Sequence, residues 1–469
     1  MIFRVIIAVA VSLLFANFTL AQTWQFKYTP APVDNPIKGL VPYVTGMPWL
    51  DPHLSDQEKT EYFKKYNAEV FPHSMEFHYF ALKDLMTGDN QFDWSELEKW
   101  LGQSSARGCQ LTFRVYLEYP SQESGVPKFL TDQGLKITKW KHDGHDQFAP
   151  DYNDPKLQKA VDQFLVALGK KYDGDPRIGC ITMGILGHWG EWHSYPRDDL
   201  FASKEYQKHV MDQFAKNFTK TKVLMRYPAG DDDYHHAKNS DSDFGYHDDS
   251  FAFATVKTGK EDDSWFFLAA MDQAGTLDAW KTRMIGGEIR PEVWGCIFDE
   301  KSCAPAGQEF DKCVQQTHAT WLMDTGMFGE GKGKETPERI ANAKKAVAKM
   351  GYELHIKSIT VKQGGEEVSF EIENRGVAPF YYDWPAKIGV IGKGGLIQGE
   401  LDGPIGLPSI LPGAAKTIQV ELHGREFKEG DRIAIRVPNP MKGGKPLRFA
   451  NDTTEIAVSY THLTLPTKA

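Results

Sequence analysis

The chain has 469 residues, a formal net charge of −9 and 41% hydrophobic residues. That apolar content over that length can bury a large core and predicts more than one domain. The acidic balance excludes the electrostatic footprint of a nucleic-acid binder.

The opening stretch MIFRVIIAVAVSLLFANFTLAQ reads as a signal peptide over residues 1–21. Arg4 supplies the positive end, Val5 to Phe15 the apolar run, and Thr19-Leu20-Ala21 a small-residue cleavage site. The run is short for a bilayer span, and no later segment is long and apolar enough to be one. The mature protein is therefore expected to be secreted or periplasmic, with no membrane span. Five cysteines follow. Cys109 and Cys180 sit in apolar runs and read as buried small residues. Cys296, Cys303 and Cys313 share one loop-like region, where one local disulfide is expected. Their spacing matches no zinc pattern, so no metal is expected there.

Short apolar runs then alternate with amphipathic helices. GLVPYV (39–44) is the first strand, followed by a helix in which Ser55 and Glu58 have capping-box spacing. SMEFHYFAL (74–82) is the second strand, and Leu97, Trp100 and Leu101 mark one face of a helix over 93–108. CQLTFRVYLEY (109–119) is the third. Leu157, Val161, Phe164, Leu165 and Leu168 then fall in register on a helix over 154–172. IGCITMGIL (178–186) is the fourth strand, and KVLMRY (222–227), after a helix at 204–218, the fifth. FGYHDD (244–249), RMIGGEI (283–289) and ATWLMD (319–324) serve as the sixth, seventh and eighth. The final helix, 336–352, is capped by Thr336 with Pro337 in its first turn. Eight strands alternating with helices predict an α/β (β/α)8 barrel over residues 22–350. After Gly351 the texture becomes alternating apolar and polar with Gly-Gly turns, which predicts an antiparallel β-sandwich over 351–457. VSYTHLTLPTKA (458–469) resembles the translation of a sequencing adapter and is set apart from the fold.

In such barrels the active site lies at the C-terminal ends of the strands. Arg114 and Glu118 lie on strand three. The loop after strand four, GHWGEWHS, holds His188, Trp189, Glu191, Trp192 and His193. Arg226 and Tyr227 end strand five, and His247, Asp248 and Asp249 end strand six. Strand seven ends at Glu288, and strand eight carries Trp321. Two carboxylates flanking one bond are what glycoside hydrolysis requires, one protonated and one ionised. Glu191 and Glu288 are therefore the candidate catalytic pair. Arg114, Glu118, His188, Trp189, Trp192, His193, Arg226, His247 and Trp321 are candidate substrate-binding residues. The 12 tryptophans also suit stacking on sugar faces. The acidic stretch AGDDDYHHAKNSDSD (229–243) lacks EF-hand spacing and reads as a solvated loop.

Glutamates after strands four and seven resemble the acid/base and nucleophile of the clan-A, β-galactosidase-like glycosidases. NPIKGL (35–40), GHWGEWH (187–193), GGEIRPE (286–292) and ENRGVAPFYYDWP (373–385) resemble, over nearly the whole mature chain, a bacterial family of exported proteins. That family pairs a glycosidase-like barrel with a C-terminal β-sandwich and has no assigned activity. The clan-A resemblance implies that Glu191 protonates the leaving oxygen and Glu288 attacks the anomeric carbon, with no cofactor. The chain departs from the clan at Gly190, where those enzymes carry an Asn that binds the sugar 2-hydroxyl. The expected function is thus an exported glycoside hydrolase acting on a poly- or oligosaccharide. The alternatives are a non-catalytic carbohydrate-binding protein and a polysaccharide lyase with His247 or Tyr227 as base.

Overall fold

Runs such as QLTFRVY and IGCIT bury almost every side chain, as strands covered on both faces must. In the computed structural model these runs form one parallel sheet. The structure describes residues 21–44, 51, 53–59, 61, 71–142, 144–259, 263–299, 303, 307–328, 336–362, 367–391, 397–403, 405–421, 432–452 and 461–463. The expected signal peptide, residues 1–21, lies outside them except for Ala21.

Eight strands make the sheet: β1 (Gly39–Pro42), β2 (Met75–Ala81), β3 (Gln110–Tyr116), β4 (Ile178–Thr182), β5 (Val223–Met225), β6 (Gly245–Phe251), β7 (Ile285–Ile289) and β8 (Trp321–Asp324). Their order around the sheet is the order in the chain, and β8 pairs in parallel with β1 through Trp321↔Gly39 to Asp324↔Pro42. A parallel bridge, Tyr43↔Phe77, joins β1 to β2 and closes the seam. The sheet is the barrel expected from the sequence, with most strands trimmed at their ends.

The helices follow the predicted pattern. In α1 (Ser95–Ala106), Leu97, Trp100 and Leu101 are buried. In α2 (Pro155–Tyr172) the buried stripe contains Leu157, Val161, Phe164, Leu165 and Leu168, and Asp154 caps its start. Ser203 caps α3 (Lys204–Asn217) by accepting the Tyr206 amide. Two short helices follow, α4 (Phe267–Gln273) and α5 (Phe310–Thr317). Thr336 caps α6 (Pro337–Val347) through the Arg339 amide. The Ser55–Glu58 capping box forms in both directions, at 3.3 and 2.7 Å. No helix among the described residues is long and apolar enough to cross a membrane.

The chain divides into two units, and the division corrects one predicted boundary. Residues 36–351 with 441–445 form the barrel unit, whereas residues before Pro36 join the C-terminal unit. The reason is a strand, Gln22–Gln25, that pairs antiparallel with β9 (Leu354–Val361). Trp24 is buried there. β9 continues through β10 (Glu367–Asn374) to β13 (Ala415–Glu421), all antiparallel. A second antiparallel sheet contains β11 (Ala386–Ile391), β12 (Ile397–Gly403) and β14 (Arg432–Arg436). Thr461–Leu463, inside the segment set apart by sequence, pairs with the open edge of β14; an exposed strand edge accepts any extended chain. Asn374 explains the ENRGVAP stretch: its side chain bonds the carbonyls of Ala378 and Ile410 and the amides of Glu353 and Gly376. It is a packed turn.

Cys296 and Cys303 form a disulfide, while Cys109, Cys180 and Cys313 are buried thiols.

Candidate active site

The loop leaving β4 is wound unusually tightly. Ile185, Gly187, Trp189, Gly190 and Trp192 all have positive φ, between 52° and 77°. Such backbone is costly for side chains other than glycine, so neighbouring bonds must hold it. They do: the Ile185 amide donates to Val115 O, Trp189 to Glu118 O, His188 to His193 O and Trp192 to Leu186 O, at 2.7–2.9 Å. The loop is thus sewn to β3 and to itself. Gly190 has φ 72°, and a Cβ there would stand 3.0 Å from Val115 O. An Asn at this position would meet a left-handed backbone and a carbonyl together. The Gly190 departure is therefore built into the path of the loop.

The loop delivers Glu191 to a buried charge cluster. Arg114 on β3 donates from Nη1 to Glu191 Oε1 at 3.0 Å and to Tyr79 Oη at 3.2 Å. Its Nε donates to Thr182 Oγ1 at 3.2 Å, and its Nη2 to Asp249 Oδ1 at 3.4 Å. Arg226 pairs through Nε with the other oxygen of Asp249 and donates from Nη1 to Tyr227 Oη at 2.6 Å. His247 Nδ1 closes on Asp249 Oδ1. Glu191, Asp249 and Glu288 each have an oxygen within 4.8 Å of the others. Arg114 is 1% exposed, and the Glu191 and Asp249 side chains 11% and 4%.

This arrangement sets the protonation states. Burial opposes charge on Asp249, yet Arg226, His247 and Arg114 overcome it and hold the carboxyl far below the usual range. Burial and then the Asp249 charge push Glu191 up to about 7, against Arg114 and Arg226. Burial and then the charges of Glu191 and Asp249 push Glu288 well above its ordinary value. The cluster therefore contains one fixed anion and a coupled pair of carboxyls whose affinity for a proton is raised.

The sequence-predicted residues separate into three groups. Glu191, Glu288, Arg114, Arg226 and His247 meet in the cluster. Trp189 and His193 are partly exposed beside it, with His193 Nε2 3.6 Å from Glu191 Oε2. Burial and then Arg226 lower the His193 pKa to about 3, so its ring is neutral. Trp192 and Trp321 correct the expectation: both are fully buried and offer no face to a ligand. Trp192 donates Nε1–H to Gly184 O at 3.1 Å, and the Trp321 indole fills the space that a Cβ on Gly286 would take. The Gly286 gap admits protein, not ligand.

Tyr79 and Thr182 also belong to the cluster without a sequence signal, and so does Asp249, which the sequence marks only as one of three polar residues ending strand six. Period-two register could have found Asp249, since residues 247 and 249 of a strand share a face. Asp248 points the other way, accepting from Thr255 Oγ1 at 2.6 Å and the Ser250 amide at 2.9 Å.

Glu118 and His188 are also buried, and together they anchor the loop without facing it outward. Tyr152 Oη donates to Glu118 Oε1 at 2.6 Å and accepts the Gly187 amide at 2.8 Å. Glu118 Oε2 lies 3.6 Å from His188 Nε2, and His188 stacks on Trp140. Burial pushes Glu118 up to about 8 from 4.5, with the Tyr152 bond acting in the opposite sense. The folded state thus keeps a proton that the unfolded chain has lost, so stability falls as pH rises from about 4.5 to about 8. Glu118→Gln retains the neutral shape and removes the titration. The variant is expected to gain about 4 kcal/mol on wild type between the two ends of that window. Urea unfolding at pH 4.5 and pH 8 measures this, and parallel stability curves would rule it out.

Among the described residues two groups have metal-like spacing, and in each the donors already have other partners. Asp249 is ion-paired through both oxygens, and the two guanidinium groups that lie against it oppose a further cation. In the other group (His73, Glu76 and Cys109), Glu76 is claimed by Arg107 at 2.8 and 2.6 Å and by Ser104 at 2.5 Å. In the 229–243 loop, Lys238 pairs with Asp231 and Asp241 at 3.0 and 2.8 Å.

No family model matches the chain, and no curated protein matches it. Solved structures do resemble it distantly. The catalytic domain of β-amylase from Paenibacillus polymyxa aligns at 11% identity and TM-score 0.38, over 61% of this chain and 92% of that one. Thermotoga maritima Cel5A in complex with mannotriose aligns at 11% identity and TM-score 0.36, over 68% and 100%. A β-glucanase from Saccharophagus degradans in complex with cellotetraose aligns at 10% identity and TM-score 0.34, over 69% and 93%. These scores are too low to carry a functional argument; the parallel strand pairing alone establishes the barrel.

Proposed function

We propose that the protein is an exported glycoside hydrolase that cleaves a poly- or oligosaccharide with Glu191 and Glu288. The observation that carries this reading is the meeting of the two carboxyls, from the loop after β4 and from β7, with one oxygen of each within 4.8 Å of the other. Retaining glycosidases hold their carboxyls roughly 5–5.5 Å apart, and inverting ones roughly 6.5–9.5 Å to admit a water. The spacing here favours retention. One carboxyl gives its proton to the glycosidic oxygen as the C–O bond breaks. The other, ionised, forms an ester bond to the anomeric carbon. Water then displaces the ester, giving its proton to the first carboxyl and restoring both groups.

Raised carboxyl pKa values support the acid role, since a general acid must hold its proton at working pH. Trp189 and His193 supply a partly exposed aromatic edge beside Glu191 for sugar stacking. A lyase base is less favoured: His247 is buried with Nδ1 committed to Asp249, and Tyr227 Oη accepts from Arg226. The test is a glycan panel with wild-type protein, reading released sugars and, by proton NMR, the anomer first formed. Retained configuration is expected. Binding to glycans with no cleavage of any would replace hydrolysis with the non-catalytic reading.

A further inference from the structure

Asp249 has no part in a two-carboxylate scheme, yet it lies against both members of the pair. Its Oδ1 is hydrogen-bonded and its Oδ2 is ion-paired. Oδ1 meets His247 Nδ1 and Arg114 Nη2, and Oδ2 pairs with Arg226 Nε. Held by three donors from three elements and 4% exposed, it is badly placed to attack carbon and carries no proton to donate. Like charges this close do not all stay ionised. Of the three carboxyls, Asp249 has the cationic partners on both oxygens. Glu191 has one such bond, and no arginine bond to Glu288 occurs among the described residues.

We propose that Asp249 is a third functional carboxylate, a positioning residue whose fixed negative charge keeps a proton on the Glu191–Glu288 pair. The catalytic meaning of this rests on the glycoside hydrolase reading; the electrostatics do not. The groups that face Asp249 come from every neighbouring element. Arg114 on β3 and Arg226 after β5 favour its charge, and His247 on β6 donates to it. Glu191 after β4 and Glu288 on β7 feel that charge in turn. Tyr79 on β2 and Tyr227 after β5 are partly buried phenols with raised pKa, and His193 is neutral. The two arginines alone would draw the proton off the pair; Asp249 offsets them.

The test reads charge directly. Carboxyl 13C NMR titrations of sugar-free wild type, Asp249→Asn and Arg226→Gln are compared, together with pH–rate profiles on any glycan that wild type cleaves. Removing the negative charge should lower the upper titration of the pair by about one pH unit or more, and removing the positive charge should raise it. In the rate profile, Asp249→Asn should then lose activity about tenfold on the alkaline side and keep it on the acid side. A residue that merely holds the structure would lower activity at all pH values and leave the titration in place. An unmoved or upward titration in Asp249→Asn overturns the proposal. If that variant does not fold, an unmoved or downward titration in Arg226→Gln does so. Opposite shifts in a protein that cleaves no glycan would leave Asp249 in this role and remove the hydrolase.

Discussion

Replacing Arg114 by methionine is expected to cost about 3–5 kcal/mol of stability at neutral pH, the range for removing one partner from a buried ion pair. The side chain is almost wholly enclosed, and its guanidinium bonds Glu191, Asp249, Tyr79 and Thr182. Methionine fills much of the volume, so the loss comes from charge more than from a cavity. Asp249 would keep only Arg226 and His247, and Glu191 would lose its arginine. The deficit should therefore shrink as pH falls, because protonating the carboxyls removes the unmatched charge. Arg114→Lys keeps the charge but not the planar fork, and should recover only part of the loss. Urea unfolding at pH 7 and pH 5 measures all of this. A methionine variant within about 1 kcal/mol of wild type at both pH values would show that the cluster does not need its central cation.

The second large effect concerns the pair itself. Glu191→Gln and Glu288→Gln should each lower turnover of a natural glycan by about 10²–10⁴-fold, with the double variant little worse than either. The resemblance casts Glu191 as acid and Glu288 as nucleophile. The Arg114 bond favours the ionised form of Glu191 in the free protein, which points the other way. Aryl glycosides separate the two. A phenol that leaves without protonation spares the loss of the acid but not the loss of the nucleophile. The variant that regains most of its rate on such a substrate lacks the proton donor. Undiminished turnover in both would remove the pair from catalysis.

Much of this site is legible in the sequence, for specific reasons. Continuous apolar runs ending in one polar residue mark barrel strands, and the strand-end rule then selects Glu191, Glu288 and Arg226 without three-dimensional knowledge. Asp249 was not separated from Asp248 because the two are adjacent in β6, and only register distinguishes the one in the cluster from its neighbour. Trp192 and Trp321 misled because an indole serves a cleft and a core equally well, and burial is not a local property. Gly190 read as a missing Asn; its cause is Val115 O, which lies far back along the chain in the neighbouring strand.

The strand Gln22–Gln25 was invisible for a related reason, because its partner in the sheet is remote: Thr23 and Thr360 bond across 337 positions. That distance has a consequence for the order of assembly. A chain made from its N-terminus presents this strand before the barrel and its partner β9 only after the barrel strands. β1 finds β8 once Asp324 has been made, so the barrel can close while the opening strand still waits. The second unit is then built by chain from both sides of the barrel, with residues 22–25 paired only once β9 has emerged. For the whole interval of barrel synthesis, residues 22–25 remain an unmatched strand edge available to any other extended chain.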